Sequence, residues 1–455
     1  MASVPGSQFL ATAPGSEPVN VVETSGGSLP PPLSNAFNLE VWTGPPGSAP
    51  TAPALGYQGL AILSDGGLQI ELVSGSFAIT DNGTGHDSII AAGDDETISG
   101  GAANVTLTLT GTDDVANGGG RDTITVYGDG DTVNGGGNDS ITVFGAADVV
   151  NAGSGNDKIN IFNNYDTVNG GTGHDTINVF GKGESVVAGG ADSISVFGDY
   201  NQITGGAGPD TINVFGQGDL VVGGAGADSA SVYGNYNTFA GGSGPDTINV
   251  FGQGDLVAGG AGADSASVYG NYDTVVGGAG PDTINVFGQG DTVVGGAGAD
   301  SASVYGNYDT VVGGSGPDTI NVLGQGDSVS GGAGADSISV SGNYNTIDTG
   351  SGADTINVIG SGNAIVAGAS GSATSALVNL TGSFNTFVDG PNTYNDTVVG
   401  FSHSSGDSIQ LAGSDTVTYA VAHQVNSGGD TLITLNDGST ILLKGVSHID
   451  STFFS

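Results

Sequence analysis

The sequence predicts an all-β chain wound as a parallel β-roll, a β-solenoid of about sixteen turns with about 18 residues in each. Three observations predict it. Between Gly205 and Asp354 the chain repeats itself at a fixed interval: GGAGPDTINVFGQGDLVV, then GGAGADSASVYGNYNTFA, then GGSGPDTINVFGQGDLVA. Such self-similarity means that each unit stacks on its neighbour. Within a unit, stretches such as Thr211-Ile212-Asn213-Val214 alternate polar and apolar, the period of a short strand. Glycine pairs stand between the strands, where a chain that reverses direction needs positive φ.

In chain order, residues 1–58 are an N-terminal arm rich in Pro, Ser, Gly and Ala. Segments such as SLPPPLS and GPPGSAPTAPALG read as polyproline II or irregular linker, with a short strand over Leu39–Trp42. The arm is either a flexible leader or a segment that docks on a neighbouring subunit or a cell surface. Residues 59–81 alternate around Asp65-Gly66-Gly67, a hairpin signal. They are expected to cap the first turn, since a terminal repeat must cover an open core. The roll spans 82–370. After Asp354 the period decays, and 371–455 read as a C-terminal β region with two strands around Asn436-Asp437-Gly438.

Each eighteen divides into two nines. The first nine follows G-G-x-G-x-D-x-U-x, with U a large apolar residue. Its acid forms a main row: Asp87, Asp122, Asp139, Asp157, Asp175, Asp192, Asp210, Asp228, Asp246, Asp264, Asp282, Asp300, Asp318, Asp336 and Asp354. Val105 stands where one Asp belongs, so no ion is expected there. The spacing falls to seventeen where a turn is shortened, as in GGGRD and AGGAD. Glycine turns aim carbonyls at one point and Asp adds a carboxylate, a donor set that suits calcium. Nine residues on lies a second row: Asp131, Asp148, Asp166, Asp219, Asp255, Asp273, Asp291, Asp309 and Asp327, with Glu184, Asn201, Asn237, Asn345 and Asn363 in the same phase. Its loops, FGQGD and YGNYD, lack the paired glycines. They either bind calcium more weakly or close the turn without it through Asn and Tyr.

More than a dozen such nonapeptides in register resemble the RTX family. The resemblance implies a calcium-loaded β-roll with multiple Ca2+ ions. Asp450 followed by Phe453 and Phe454 resembles an uncleaved C-terminal signal of type I secretion. That implies the type I secretion machinery as a partner and export from a Gram-negative cytoplasm to the cell surface or beyond.

The inward positions, Ile212, Val214 and Val221 in one turn and Ala230, Val232 and Phe239 in the next, make a core only two sheets deep. Two outward rows stand apart. Phe215, Tyr233, Phe251, Tyr269, Phe287 and Tyr305 recur every eighteen residues until Leu323 interrupts them. They form either a ladder that shields one edge or an apolar stripe for lateral association or sugar stacking. Thr211, Ser229, Thr247, Ser265, Thr283, Ser301 and Thr319 face out beside Asn213, Ser231, Asn249 and Ser267. This array is either a soluble face of hydrogen-bonded ladders or a flat array like that of some ice-binding solenoids. Tyr200, Tyr236, Tyr272, Tyr308 and Tyr344 recur every thirty-six, so the true unit is a pair of turns.

Composition bounds the function. Four Lys and Arg face 46 Asp and Glu, a formal charge of −42. Such a chain repels nucleic acid and anionic membranes, and repels itself until cations arrive. It is expected to be unfolded without calcium and folded with it. There is no Cys, and no run approaches the length of a membrane span, so no membrane insertion is expected. The N-terminus lacks the basic and apolar segments of a Sec signal. No H-E-x-x-H or Walker loop is present. Gly400-Phe401-Ser402-His403-Ser404 fails as a nucleophile elbow because Ser404 replaces the second Gly. No enzyme activity is expected. The leading expectation is a secreted structural protein that forms a filament, surface layer or matrix by head-to-tail self-association. The rival is an adhesin or rod that binds polysaccharide, ice or a host surface.

Overall fold

Alternation of period two, broken every few residues by glycine or Asn, permits strands of only three to seven residues across the repeats, such as Thr346–Asp348 and Thr355–Ser361. A computed structural model of the chain describes residues 88–455 apart from 101–103, 369–374, 391–394 and 414. Upstream it describes Pro32, Asn38, Leu39 and the backbone of the strands Gln8–Ala11, Val19–Thr24, Phe37–Trp42, Gly59–Ser64, Gly67–Leu72, Ala78–Thr80 and His86–Ala91. The fold is an all-β parallel β-solenoid of about 17 turns with roughly 18 residues per turn. It divides into two compact units, Met1–Val222 and Gly223–Ser455.

In the second unit, each turn gives one strand to each of two parallel sheets. Thr283–Val286 pairs with Ser301–Val304, Ile284 lying on Ala302 and Val286 on Val304. Thr292–Ala297 pairs in the other sheet with Thr310–Ser315. Ile284, Val286 and Val293 are buried, whereas Thr283 faces out. The corners are tied as well: Thr283 N donates to Asp264 O, and Thr292 N to Asp273 O, both at 2.8 Å. The first unit follows the same plan, with Ser140–Val143 on Lys158–Ile161 and Val149–Ser154 on Thr167–Thr172. Seventeen-residue turns lose their residue from the corner, so Thr123–Val126 still pairs in register with Ser140–Val143.

The expected hairpin is present: Gly59–Ser64 and Gly67–Leu72 pair antiparallel. Residues Gln69 to Leu72 then pair in parallel with Ser88 to Ala91; Asp65 and Gly66 lie outside the described residues. The arm, read from its prolines as linker with one short strand, holds three strands among its described residues. Val19–Thr24 pairs in parallel with Phe37–Trp42, which pairs with Gly59–Ser64. VNVVET alternates cleanly, and no proline falls within any of the three strands.

The parallel ladders run on past residue 370. Thr355–Ser361 pairs with Leu377–Ser383, and Ala364–Ala367 with Thr386–Asp389. The decay of the period is a lengthening of the corner: Thr355 lies on Leu377, twenty-two residues on. Asn395–Val399 then pairs with Thr440–Lys444, which forms a hairpin with Asp430–Thr434. Phe454 bridges to Ile409, the inward residue of the strand Ser408–Gln410.

Because each layer holds so few apolar side chains, single truncations are costly. Ile284→Ala is expected to lower unfolding stability in calcium by roughly 2–5 kcal/mol, measured by denaturant titration.

Candidate metal-binding edges

The glycines decide what each corner can hold. Gly278 has φ of +119°, and a side chain there would strike the carbonyl of Gly260 in the preceding turn. Gly277 is different: it points inward, and a Cβ on it would lie 2.5 Å from both Asp282 Oδ2 and the carbonyl oxygen of Gly295 in the next turn. The missing side chain thus leaves a cradle on which a carboxylate oxygen and a carbonyl oxygen converge. Gly259, with Asp264 and Gly277, repeats this geometry.

The first row lines this edge. Asp122, Asp139, Asp157, Asp175, Asp192 and Asp210 in the first unit, and Asp228, Asp246, Asp264, Asp282, Asp300, Asp318, Asp336 and Asp354 in the second, are all at most 4% exposed. The Asp87 side chain lies outside the described residues. One carboxylate oxygen is used by the backbone. Oδ1 accepts from the N–H of the row residue one turn earlier at 2.6–3.0 Å, from Asp122 onto Asp139 and from Asp264 onto Asp282, for example. The other oxygen is buried without a hydrogen-bond partner in Asp139, Asp157, Asp175, Asp246, Asp264, Asp282, Asp300, Asp318 and Asp336. Two shortened turns differ. Gly120 N donates to Asp122 Oδ2 and Gly190 N to Asp192 Oδ2, at 3.2 and 2.9 Å. Val105 keeps the row's backbone bond to Asp122 Oδ1. Its side chain fills the space beside Gly100 where an oxygen would stand.

The second row is equally buried: Asp131, Asp148, Asp166, Asp219, Asp255, Asp273, Asp291, Asp309 and Asp327 are at most 2% exposed. The same relay joins them, Asp131 N to Asp148 Oδ1 and Asp273 N to Asp291 Oδ1. The row's Asn residues act as a built-in control. Asn345 Nδ2 donates to Gly324 O at 3.3 Å and Asn363 Nδ2 to Gly342 O at 3.1 Å. In Asp turns such as Asp273, an unpartnered Oδ2 and the carbonyl of Gly252 meet across Gly270 instead, with no hydrogen between them. Asn therefore closes the turn by itself, and Asp needs a proton or a cation there.

The sequence reading missed part of this edge. Glu96 and Asp114 start the row, with Glu96 N donating to Asp114 Oδ1 and Asp114 N to Asp131 Oδ1. Asn385 and Asp407 extend it beyond Asn363. The signal was available as Gly93 to Glu96 and Gly111 to Asp114, acids three residues after a glycine. Asp407 explains the near-elbow at residues 400–404. Its oxygens accept from Asn385 N and Ser402 N, so the segment is one more corner. His403 stacks on Phe453 and contacts Thr452 Oγ1 at 3.2 Å through Nε2.

The thirty-six-residue unit has a steric origin. Tyr200, Tyr236, Tyr272, Tyr308 and Tyr344 hold φ near +60° at this corner. Each ring covers a glycine of the next turn: a Cβ on Gly254, Gly290 or Gly326 would meet the Tyr ring at 2.8 Å. Phe384 covers Gly406 in the same way. On a flank of the roll, Tyr127, Phe144, Phe162, Phe180, Phe197 and Phe215 stack at 4.9–5.1 Å, about half exposed. Tyr233 to Tyr305 do the same in the second unit. Asn117, Asn134 and Asn151 form an amide ladder on an outward row.

Burial, opposed by the backbone bond and reinforced by neighbouring acids, pushes Asp282, Asp246 and Asp318 up to about 6, and Asp157 and Asp273 to about 7. Among the described residues no three His, Asp or Glu side chains gather at one point. An Asp turn brings a carboxylate oxygen of one turn and a carbonyl oxygen of the adjoining turn together at its edge. An all-oxygen set of this kind, with buried unpartnered anions, fits a hard cation.

The sequence profile described as RTX calcium-binding nonapeptide repeat (4 copies) matches residues 83–107, 128–159, 165–179, 198–230, 236–266, 273–302, 309–338 and 330–358. A search of curated proteins finds no match. Among solved structures, the extracellular lipase LipA from Serratia marcescens aligns at 15% identity, over 55% of this chain and 40% of the lipase chain, with a TM-score of 0.19. The fold and its two carboxylate edges define a calcium-binding repeat solenoid. The repeat region carries RTX calcium-binding nonapeptide repeats, and its parallel β-solenoid is consistent with an RTX β-roll. This region is a structural, non-catalytic β-roll of a kind typical of type I secreted proteins. No helix among the described residues is long and apolar enough to cross a membrane.

The raised carboxyl pKa values fix a sign. Their contribution to metal-free stability is fully present below about pH 4, near the unfolded value, and is lost as pH rises through about 6–7. In chelator, circular dichroism is expected to show β structure near pH 4 that melts on raising the pH to 8, and calcium is expected to restore it there.

Proposed function

We propose that the chain is a calcium-dependent structural protein, exported by type I secretion from a Gram-negative cell, that folds outside and self-assembles into a filament, surface layer or matrix. The observation that carries this reading is the pair of buried carboxylate rows. Without divalent ions they place many uncompensated oxygens in a thin core, on a chain that already carries a charge of −42. Low calcium inside the cell keeps the chain open for export, and millimolar calcium outside closes it. The ions sit at first-row cradles such as Asp264 and Asp282, and at the Asp turns of the second row. Turns closed by Asn345 and Asn363 hold none.

The roll occupies most of the chain, and its regular faces suit contacts between copies. Subunits join head to tail through their end segments, and the exposed aromatic ladder adds lateral contact. No catalytic role is proposed. The stacked ladder also favours a second reading, a rod that lays rings against the faces of polysaccharide sugars.

Electron microscopy separates the two. Ordered polymers in millimolar calcium, lost on chelation, support the first reading. A persistent monomer that binds glycan supports the second and sinks the first. Asp264→Asn, by analogy with the Asn turns, is expected to remove about one bound ion while the roll still forms. Unchanged calcium stoichiometry by atomic absorption would count against the ligand assignment.

A further inference from the structure

The C-terminal end of the first edge breaks the pattern of the repeats. There the inward place of the corner passes from Gly331 to Thr349 to Ala367, all buried, and then to Asp389, which lies on Ala367 in the ladder. Asp389 is 1% exposed, and neither of its oxygens has a hydrogen-bond partner. In most of the repeats that inward place is kept empty by glycine so that one carboxylate oxygen fits, with Ala152 and Ala188 as exceptions. Here a second carboxylate occupies it.

Its neighbours are also acidic. Asp396 continues the first row: its Oδ1 accepts from Ala376 N at 2.9 Å, and its Oδ2 is buried and unpartnered. Asp415 and Asp437 belong to the flanking turns. Asp415 Oδ1 accepts from the N–H of Asn436 and of Asp437, and Asp437 Oδ1 from Ser439. Burial first, then the charges of Asp415, Asp437 and Asp396, push the Asp389 carboxyl up to about 8. The carbonyls of Ala367 and Gly368 converge at the adjacent residue, Gly390, where a side chain would strike both. No cation from Lys or Arg is paired with any of these acids; the two salt bridges among the described residues join Lys182 to Asp199 and Lys444 to Asp430.

We propose that Asp389 and Asp396, with the carbonyls of Ala367 and Gly368, form a separate divalent-cation site that locks the C-terminal hairpin onto the last turns of the roll. Three buried oxygens of this one turn, both of Asp389 and one of Asp396, lack a hydrogen-bond partner. A hard divalent cation of calcium's size supplies it. Asp415 and Asp437 deepen the negative field and tie the site to the turn that opens the strand Thr440–Lys444. This site lies outside the nonapeptide motif and uses two side-chain carboxylates where a repeat corner uses one. A higher ligand charge raises calcium affinity, so the site fills before the repeats.

The test is hydrogen exchange of the full chain across a calcium titration, read by peptide. In the unsubstituted chain, Asn395–Val399 and Thr440–Lys444 are expected to become protected at lower calcium than strands such as Thr283–Val286. Asp389→Asn is expected to raise the calcium midpoint for those two C-terminal strands on the order of tenfold and to leave the repeat midpoint in place. Asp264→Asn is expected to do the reverse, so loss of calcium binding in the repeats is distinguishable from loss of this site. Protection of the C-terminal strands that ignores calcium in the unsubstituted chain overturns the proposal. So does an Asp389→Asn chain whose C-terminal strands are protected at equal or lower calcium, because Asp389 is then a buried protonated acid that a neutral amide replaces without loss.

Discussion

A carboxylate oxygen that faces a carbonyl oxygen with no hydrogen between them is the contact on which this structure turns. It recurs at corner after corner, and in water-poor surroundings it is repulsive. Outside the shortened turns of Asp122 and Asp192 the backbone leaves it unrelieved, the N–H of the preceding turn being spent on the other carboxylate oxygen. A proton relieves it at low pH, an Asn relieves it by substitution, and a divalent cation relieves it with charge to spare. Calcium coupling is therefore a property of the turn itself.

The thinness of the core gives that contact its leverage. Each turn buries a few side chains such as Ile284, Val286 and Val293, and a layer this small offsets little chain entropy alone. In a stacked array, stability accumulates through neighbour contacts. The carboxylate oxygen of one turn and the carbonyl oxygen of the next meet at the interface where stability is decided. The Tyr and Gly corners, the stacked aromatic rings and the Asn ladders work along the same axis, each joining a turn to the next within its unit.

Not every corner is equal. Val105 replaces a carboxylate by packing, Asp122 and Asp192 close on their own loops, and Asn345 and Asn363 close by amide. Such corners let the roll continue without a buried, unpartnered carboxylate oxygen. Where the repeats give way to the C-terminal hairpin, Asp389 adds a carboxylate in the place where glycine stood, and the chemistry shifts from carbonyl-rich to side-chain-rich.

The sequence alone determined the solenoid, the phase of both acid rows and the inward residues, because a period of eighteen with Asp in constant phase has one economical winding. It marked the thirty-six-residue unit without its cause. Only the tertiary structure decided that Tyr272 covers Gly290 across a corner, that Asn closes the turn where Asp leaves it open, and that Asp407 makes a corner of what resembled a nucleophile turn. It also placed Asp389 beside Asp396. Those facts depend on which residues lie above one another in adjacent turns, and after Asp354 the lengthened corners hide that register from the sequence. A spacing of twenty-two reads as decay along the chain, yet the ladder keeps the same strands in contact.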